Sequence, residues 1–338
     1  MSVKYSLAIF CILIKTTIAT VPGYCLQYNI TADVFLDGDE FAFDTANDSS
    51  HGYVNFLSRQ QAINKNLVKK LNDRLYLTVD QTNVVPATAR GRDSIRLISK
   101  TSYQGDLFIL DAERMPVRQC GVWPGFYIRD ADNPNSGVIN IVEGVNLAEF
   151  NTMSLHTRED CPIATTGNFS GHVVTKNCYV NAIDQPKYSG CSIVLNNNKT
   201  YGDPFNRVKG GVFATELNKR NNTITIWFYR RDMIPTDILN GKPNPRTWSK
   251  PMAIFSGCCN FTSNYKNLNL ILDINFCGDK AGGQTWLDSV CSDRLARNCK
   301  DYVRKTTKGF EGVLWYIRSL SIYTYYSGAE SYIPPKCQ

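Results

Sequence analysis

The chain is poor in the residues that hold metals. It has only 3 histidines, His51, His156 and His172, and none of its 12 cysteines forms a Cys-x-x-Cys pair. No zinc-ligand spacing is therefore present, and neither a metal nor a cofactor is expected. Beyond the first residues no apolar run approaches the roughly 20 residues that a membrane helix requires. The last residues, Tyr-Ile-Pro-Pro-Lys-Cys-Gln, lack the hydrophobic tail of a lipid-anchor signal, so no membrane anchor is expected. Dense basic runs are missing too. The net charge of +7 is spread among acids, and its tightest cluster, Lys65 to Lys70, reads as a solvated face and not as a nucleic-acid patch. Internal repeats, low-complexity stretches and obvious linkers are absent, as are the helices that a parallel α/β fold needs between its strands.

What is present points to export. Lys4, an apolar run from Leu7 to Ile14 and small residues around Thr17 and Ala19 have the layout of a secretory signal peptide. Residues 1–19 are expected to be that leader, and 20–338 one domain. Without Cys11 an odd set of cysteines remains: Cys25, Cys120, Cys161, Cys178, Cys191, Cys258, Cys259, Cys277, Cys291, Cys299 and Cys337. Most should pair in an oxidising compartment, leaving one thiol free or bonded between chains. Asn-x-Ser/Thr acceptors at Asn29, Asn47, Asn168, Asn198, Asn221 and Asn260 fit a secreted, extracellular glycoprotein.

From Tyr53 onward, short apolar or alternating runs are broken by Gly, Asn, Asp and Pro. Strands are expected at 74–79, 94–99, 106–110, 122–128, 138–142, 152–156, 211–216, 223–229, 269–276 and 313–326. Many evenly spaced strands rich in Val, Ile and aromatics predict an all-β sandwich or jelly roll. Two helices are expected, Arg59 to Leu71 and Trp286 to Val303. The second would carry Leu287, Cys291, Leu295 and Cys299 at four-residue steps, so that its cysteines could tie it to the sheet. Trp227, Trp315 and Tyr316 read as core.

An ordered series of motifs then narrows the fold: His51-Gly-Tyr-Val-Asn55, Val79-Asp-Gln-Thr-Asn83, Gly91-Arg-Asp-Ser-Ile-Arg96, Met115-Pro116, Cys120-Gly-Val-Trp-Pro124, Gly137 to Asn146, Leu155-His-Thr157, Gly210-Gly-Val-Phe-Ala214, Ile234-Pro-Thr-Asp-Ile238 and Cys277-Gly-Asp279. In order and spacing this series resembles the fungal-type, laminarinase-like endo-β-1,3(4)-glucanases of glycoside hydrolase family 16. The resemblance implies a concanavalin-like β-jelly-roll sandwich, disulfide-stabilised, with a concave glycan-binding sheet. It also implies a Glu-x-Asp-x-x-Glu strand carrying nucleophile, helper and acid/base.

The spacing has a physical logic. Positions i and i+2 of a strand share a face, and one bulged residue brings i+5 round to it. Here those positions hold Val138, Asn140 and Glu143. Glu143 stands at the acid/base position, Val138 at the nucleophile position and Asn140 at the helper position. A retaining glycosidase needs two carboxyl groups, and Val138 offers neither lone pair nor charge. Asn140 keeps the hydrogen bonding of an aspartate without its charge. Loss of a catalytic group costs roughly 10⁴ to 10⁶-fold in other enzymes, so activity near background is expected.

Sugar faces stack on aromatic rings, which makes Trp123, Phe126 and Tyr127 candidate platform residues or, equally, sheet-packing aromatics. His156 is a candidate cleft residue or a structural histidine, and Glu216 a candidate for a sugar hydroxyl or a cross-strand salt bridge. The resemblance implies aromatics where this chain has Leu217 and Lys280, and an alanine where it has Gly125; Gly125 and Leu217 are expected to enlarge or flatten the cleft. The leading expectation is a secreted pseudoenzyme that binds a β-1,3 or mixed-linkage glucan, another glycan or a protein. Two alternatives stay open: an active endo-β-1,3(4)-glucanase with Glu143 as general acid, and a secreted interaction protein without a sugar site.

Overall fold

Alternation along the strands builds two antiparallel sheets whose apolar faces meet. The computed structural model describes residues 22–133, 137–159, 161–186, 189–257 and 260–327, with side chains except those of 262 and 263. The expected leader, residues 1–19, lies outside the described residues, as do Cys258, Cys259 and Cys337. One 8-stranded sheet runs in the order His172–Thr175, Cys191–Val194, Thr152–His156, Val138–Glu143, Val122–Arg129, Asn269–Phe276, Arg96–Ser99, Phe41–Phe43. The other, the back sheet, is also 8-stranded and runs Ala253–Phe255, Thr223–Arg230, Gly211–Asn218, Leu107–Arg114, Leu314–Tyr326, Arg74–Thr78, Val68–Leu71, with Gly23–Ile30 also paired to Leu314–Tyr326. This is the jelly-roll sandwich expected.

Between the sheets lies the core. From the first sheet it receives Phe126, Ile128, Ile139, Val142, Met153, Leu155, Leu272 and Ile274; from the back sheet, Phe108, Leu110, Phe213, Ile226, Trp315 and Ile317. Burial of a large apolar side chain contributes about 1.5–3 kcal/mol, so this interior sets which face of every strand turns outward. Trp123, Tyr127 and Arg129 are left half-buried on the outer face, opposite Phe126 and Ile128. A second, smaller apolar cluster, including Trp227, Ile109, Val212 and Tyr229, covers the outer face of the back sheet.

Both expected helices are broken. The first runs only Arg59–Asn64, opened by a reciprocal Ser58 and Gln61 capping box. The chain then turns at Asn66, whose φ is +56°, and Val68–Leu71 becomes a strand paired to Arg74–Thr78 through a two-residue Asn72-Asp73 turn at φ +48° and +58°. Turn chemistry overrode the helical pattern there. The segment 286–303 is divided among Gln284–Leu287, Val290–Arg294 and Cys299–Lys305, because Ser289 and Asn298 each cap a new start. Leu287 and Leu295 are exposed, so the four-residue steps do not form one buried face.

The cysteines of that segment nevertheless tie it to the sheet. Cys291 bonds Cys120, just before Val122–Arg129, and Cys299 bonds Cys277, just after Asn269–Phe276. A third disulfide joins Cys178 to Cys191, and Cys25 and Cys161 are disulfide-bonded as well. Tyr316 departs from expectation: it is half-buried and its hydroxyl donates to the Leu71 carbonyl, whereas Trp227 and Trp315 are buried. Short edge strands such as Phe41–Phe43 and His172–Thr175 carry too few alternations to stand out in sequence.

Candidate functional site

The Val138–Glu143 strand pairs with Thr152–His156 on one side and with Val122–Arg129 on the other. Against Val122–Arg129 the register shifts between Asn140 and Val142, the one-residue bulge that the 138, 140, 143 spacing requires. Asn151 holds this bulge in place. Its Oδ1 accepts the Glu143 N–H at 2.9 Å, and its Nδ2 donates to the Ile141 carbonyl at 2.8 Å. Ile139, Ile141 and Val142 consequently point into the core, and Val138, Asn140 and Glu143 share the outer face.

The strand ends at Glu143, opposite Gly125. Pro124 therefore sits where its neighbour's ladder has stopped, and its missing N–H leaves no gap in that pairing. Gly125 also separates Glu143 from Asp273 across three strands. A Cβ at Gly125 would lie 3.1 Å from the Tyr127 ring and 3.3 Å from Asp273 Oδ1, so the neighbours already fill the space and the expected enlargement is small.

Glu143 is 5% exposed and fully engaged. Lys280 Nζ donates to Oε2 at 2.6 Å and Trp123 Nε1 donates to Oε1 at 3.1 Å. Burial opposes its charge, but the field and hydrogen bond of Lys280, with help from the Trp123 hydrogen bond, hold the carboxyl below the ordinary glutamate value. Such a group is a paired carboxylate at neutral pH and a poor proton donor. Lys280 reaches it from the Gly278–Gly282 turn, which the Cys277–Cys299 disulfide and an Asn146 Nδ2 to Ala281 carbonyl bond of 3.0 Å fix beside the sheet. In sequence Lys280 shows only as a missing aromatic; its ion pair depends on a contact across 137 residues.

Asn140 Nδ2 donates to Ser154 Oγ at 2.9 Å, and Ser154 lies in register with Ser192, whose Oγ meets Thr175 Oγ1 at 2.7 Å. A line of small hydroxyl groups thus crosses the outer face. His156 is in register with Val138, its ring Nε2 lying 3.2 Å from the Ser189 carbonyl. Burial, reinforced by the charge of Lys280, pushes the His156 imidazole down to about 4 and keeps it neutral. On the other flank, Asp273 accepts from Arg96 Nε at 3.0 Å and from the Tyr127 hydroxyl at 3.2 Å. Burial pushes its carboxyl up to about 6 although Arg96 opposes the rise. Asp273, Ser154 and Arg96 stand out only once the sheet order makes them neighbours.

Of the residues singled out in sequence, the structure brings Trp123, Tyr127, Val138, Asn140, Glu143 and His156 to one face. Phe126 is not among them. It is 2% exposed in the core, in register with Val142 and Leu272, because it occupies the inward parity of its strand. Glu216 lies on the back sheet, pointing away from Glu143, where its Oε1 accepts the Tyr24 hydroxyl at 2.5 Å. Burial, with the nearby charge of Asp106, raises its carboxyl above the ordinary value. Leu217 turns into the core and does not flatten any cleft. Three cavities, of about 670, 1380 and 680 Å³, also lie away from Glu143, the largest of the three against Glu216 and Trp227.

A two-sheet antiparallel sandwich with an acid on a bulged strand of its outer face defines a jelly-roll protein of glycosidase type. The model of the XgeA-like, catalytic domain of glycoside hydrolase family 16 matches residues 41–323, and the chain belongs to that family. It is 39% identical over 287 residues to an endo-1,3(4)-beta-glucanase of Arthroderma benhamiae, spanning 84% of this chain and 62% of that one. It is 33% identical over 324 residues to the endo-1,3(4)-beta-glucanase xgeA of Emericella nidulans, spanning 94% of this chain and 50% of the relative. The chain thus spans only about half to three-fifths of these relatives' length. Among solved structures it is similar to an elongating family 16 beta-1,3-glucosyltransferase, with TM-score 0.80, 32% identity and coverage of 89% and 100%. It is also similar to laminarinase 16A from Phanerochaete chrysosporium with beta-glucans in donor and acceptor sites, with TM-score 0.81, 32% identity and coverage of 89% and 99%.

Proposed function

We propose that this chain is a secreted, glucan-binding member of family 16 that has lost hydrolysis, a single domain of residues 20–338 following a leader of residues 1–19. One observation carries the reading: Lys280 Nζ lies 2.6 Å from Glu143 Oε2, at the position where a general acid would have to keep its proton. With Val138 as its only counterpart at the nucleophile position, the strand offers a retaining displacement neither attack nor protonation. Trp123, Tyr127 and the Asn140, Ser154 and Ser192 groups retain what recognition needs, a ring face and hydrogen-bonding groups. The ligand is a β-1,3 or mixed-linkage glucan. Purified mature protein should retard in laminarin affinity gels and release no reducing ends from laminarin. Hydrolysis at a rate typical of an active glucanase would end this reading.

A second reading rests on Asp273. Its raised carboxyl lies two strands from Glu143 on the same face, roughly 10 Å apart at the backbone. Inverting glycosidases hold their two carboxyl groups about 6.5–9.5 Å apart, so Asp273 would be the acid and Glu143 the base. This reading requires hydrolysis that disappears in both Asp273→Asn and Glu143→Gln; a silent parent protein removes it.

A further inference from the structure

Beside Val138 the outer face carries a positive charge that forms no ion pair among the described residues. Arg129 is in register with Val138 on one side and with Asn269 on the other, and it is half-buried on the same face as Trp123 and Tyr127. None of the ion pairs among the described residues includes its guanidinium, whereas Arg96 on the other flank meets three carboxylates and Lys280 meets Glu143. The acids of this face do not reach it. Glu143 and Asp273 both lie level with Gly125, four residues along the strand and roughly 13 Å away. Each is already held, Glu143 by Lys280 and Asp273 by Arg96 and Tyr127. Asp130, next in the chain, turns its Oδ1 to the backbone N–H groups of Asp132 and Asn133.

The residues in register with Arg129 on the two adjacent strands, Val138 and Asn269, are neutral. Val138 and Asn140 occupy positions at which the family resemblance implies carboxylates, and His156, level with Val138, is kept uncharged. A strand with Glu and Asp at those positions would have paired with this guanidinium and repelled an anionic ligand. With Val and Asn there, the guanidinium is open to a partner from outside, and a half-buried Arg is a strong planar donor to a carboxylate.

We propose that the end of the site beside Val138 accepts an anionic substituent, and that its ligand is a β-glucan chain bearing carboxylates, that is, a uronate-containing glycan. This rests on the glucan-binding reading and refines its ligand. Arg129 would hold the carboxylate, and Asn140, Ser154 and Ser192 would bond the hydroxyls of adjoining sugars.

The test compares laminarin with laminarin partly oxidised at C6 to the glucuronate, by calorimetry on the full mature chain at low and high salt. Oxidised chains should bind about tenfold more tightly at low salt, as expected for one charge-assisted pair, and the advantage should shrink in high salt. Arg129→Met should remove the preference, so that oxidised and neutral laminarin bind alike, while Arg129→Lys should keep part of it. Equal or weaker binding of oxidised chains overturns the inference and leaves the glucan reading standing. A preference that survives Arg129→Met overturns the assignment to Arg129. Failure of both glycans to bind overturns the glucan reading itself, and the inference with it.

Discussion

Replacing Lys280 with Met tests the ion pair at the centre of this site. The substitution keeps most of the aliphatic stem and deletes the ammonium that holds Glu143 Oε2 at 2.6 Å. Removing one partner of a buried ion pair costs about 3–5 kcal/mol. Here the Lys280 side chain is 30% exposed and Glu143 only 7%, so solvent screens part of the interaction. A loss of about 2 kcal/mol at pH 7, or a Tm drop of about 4 °C, is expected.

The sign of the pH dependence is determined by Glu143. In the parent its folded value lies below the ordinary one, so the pair's contribution is present above about pH 4.3 and fades as pH falls through the folded value. In the variant burial acts without Lys280 and raises the carboxyl, so the folded state takes up a proton as pH falls. The Tm difference between parent and variant should therefore be largest at pH 7 and narrow toward pH 4. Thermal unfolding followed by circular dichroism at pH 4, 5.5 and 7 measures it. A difference of equal size at pH 4 and 7 would refute the electrostatic account and assign the loss to packing of the lysine stem.

Other outcomes follow from the same geometry. Val138→Glu with Asn140→Asp should give little laminarin hydrolysis while Lys280 still pairs Glu143 and Arg129 faces the new carboxylate; adding Lys280→Met should raise the rate by at least about tenfold, and an equal rate with Lys280 present would count against the blocking role. Trp123→Ala should weaken laminarin binding about tenfold in affinity gels, whereas Phe126→Ala should lower stability by about 3–5 kcal/mol in denaturant melts because its ring is in the core. Glu216→Ala, on the back sheet, should leave laminarin retardation unchanged. Unfolded His156 takes a proton near pH 6.5, but the folded protein keeps it neutral down to about 4. This residue thus removes up to roughly 1.4 kcal/mol of stability per unit of pH as pH falls through that window, and His156→Gln should flatten the slope.

Much of the framework was legible because it rests on local chemistry. The 122–128, 138–142, 152–156 and 269–276 runs show their strands through alternation and β-branched residues, and the 138, 140, 143 spacing implied a bulge that the register contains. The helices expected at 59–71 and 286–303 fail for a local reason too: apolar periodicity carries no information on the Asn72-Asp73 turn or the Ser289 and Asn298 caps that interrupt it. Phe126 misled through parity, since one residue along a strand exchanges core for surface. No signal within one segment could have joined Arg129 to Val138 or Lys280 to Glu143, because those partners meet only after the sheet has its order.

Residue identity and spacing set which chemistry is available: an acid at 143, no acid at 138 or 140, cysteines enough to brace a sandwich, and strands whose alternation requires two faces. Those follow from residue identity and from periods of two, which need no knowledge of distant partners. Only the folded arrangement makes Glu143 a carboxylate locked to a lysine, places Glu216 and Phe126 elsewhere, and leaves Arg129 beside Val138 in no ion pair among the described residues. Charge state and pairing are set by burial and by neighbours a few ångströms away, and in an antiparallel sandwich those neighbours come from remote parts of the chain.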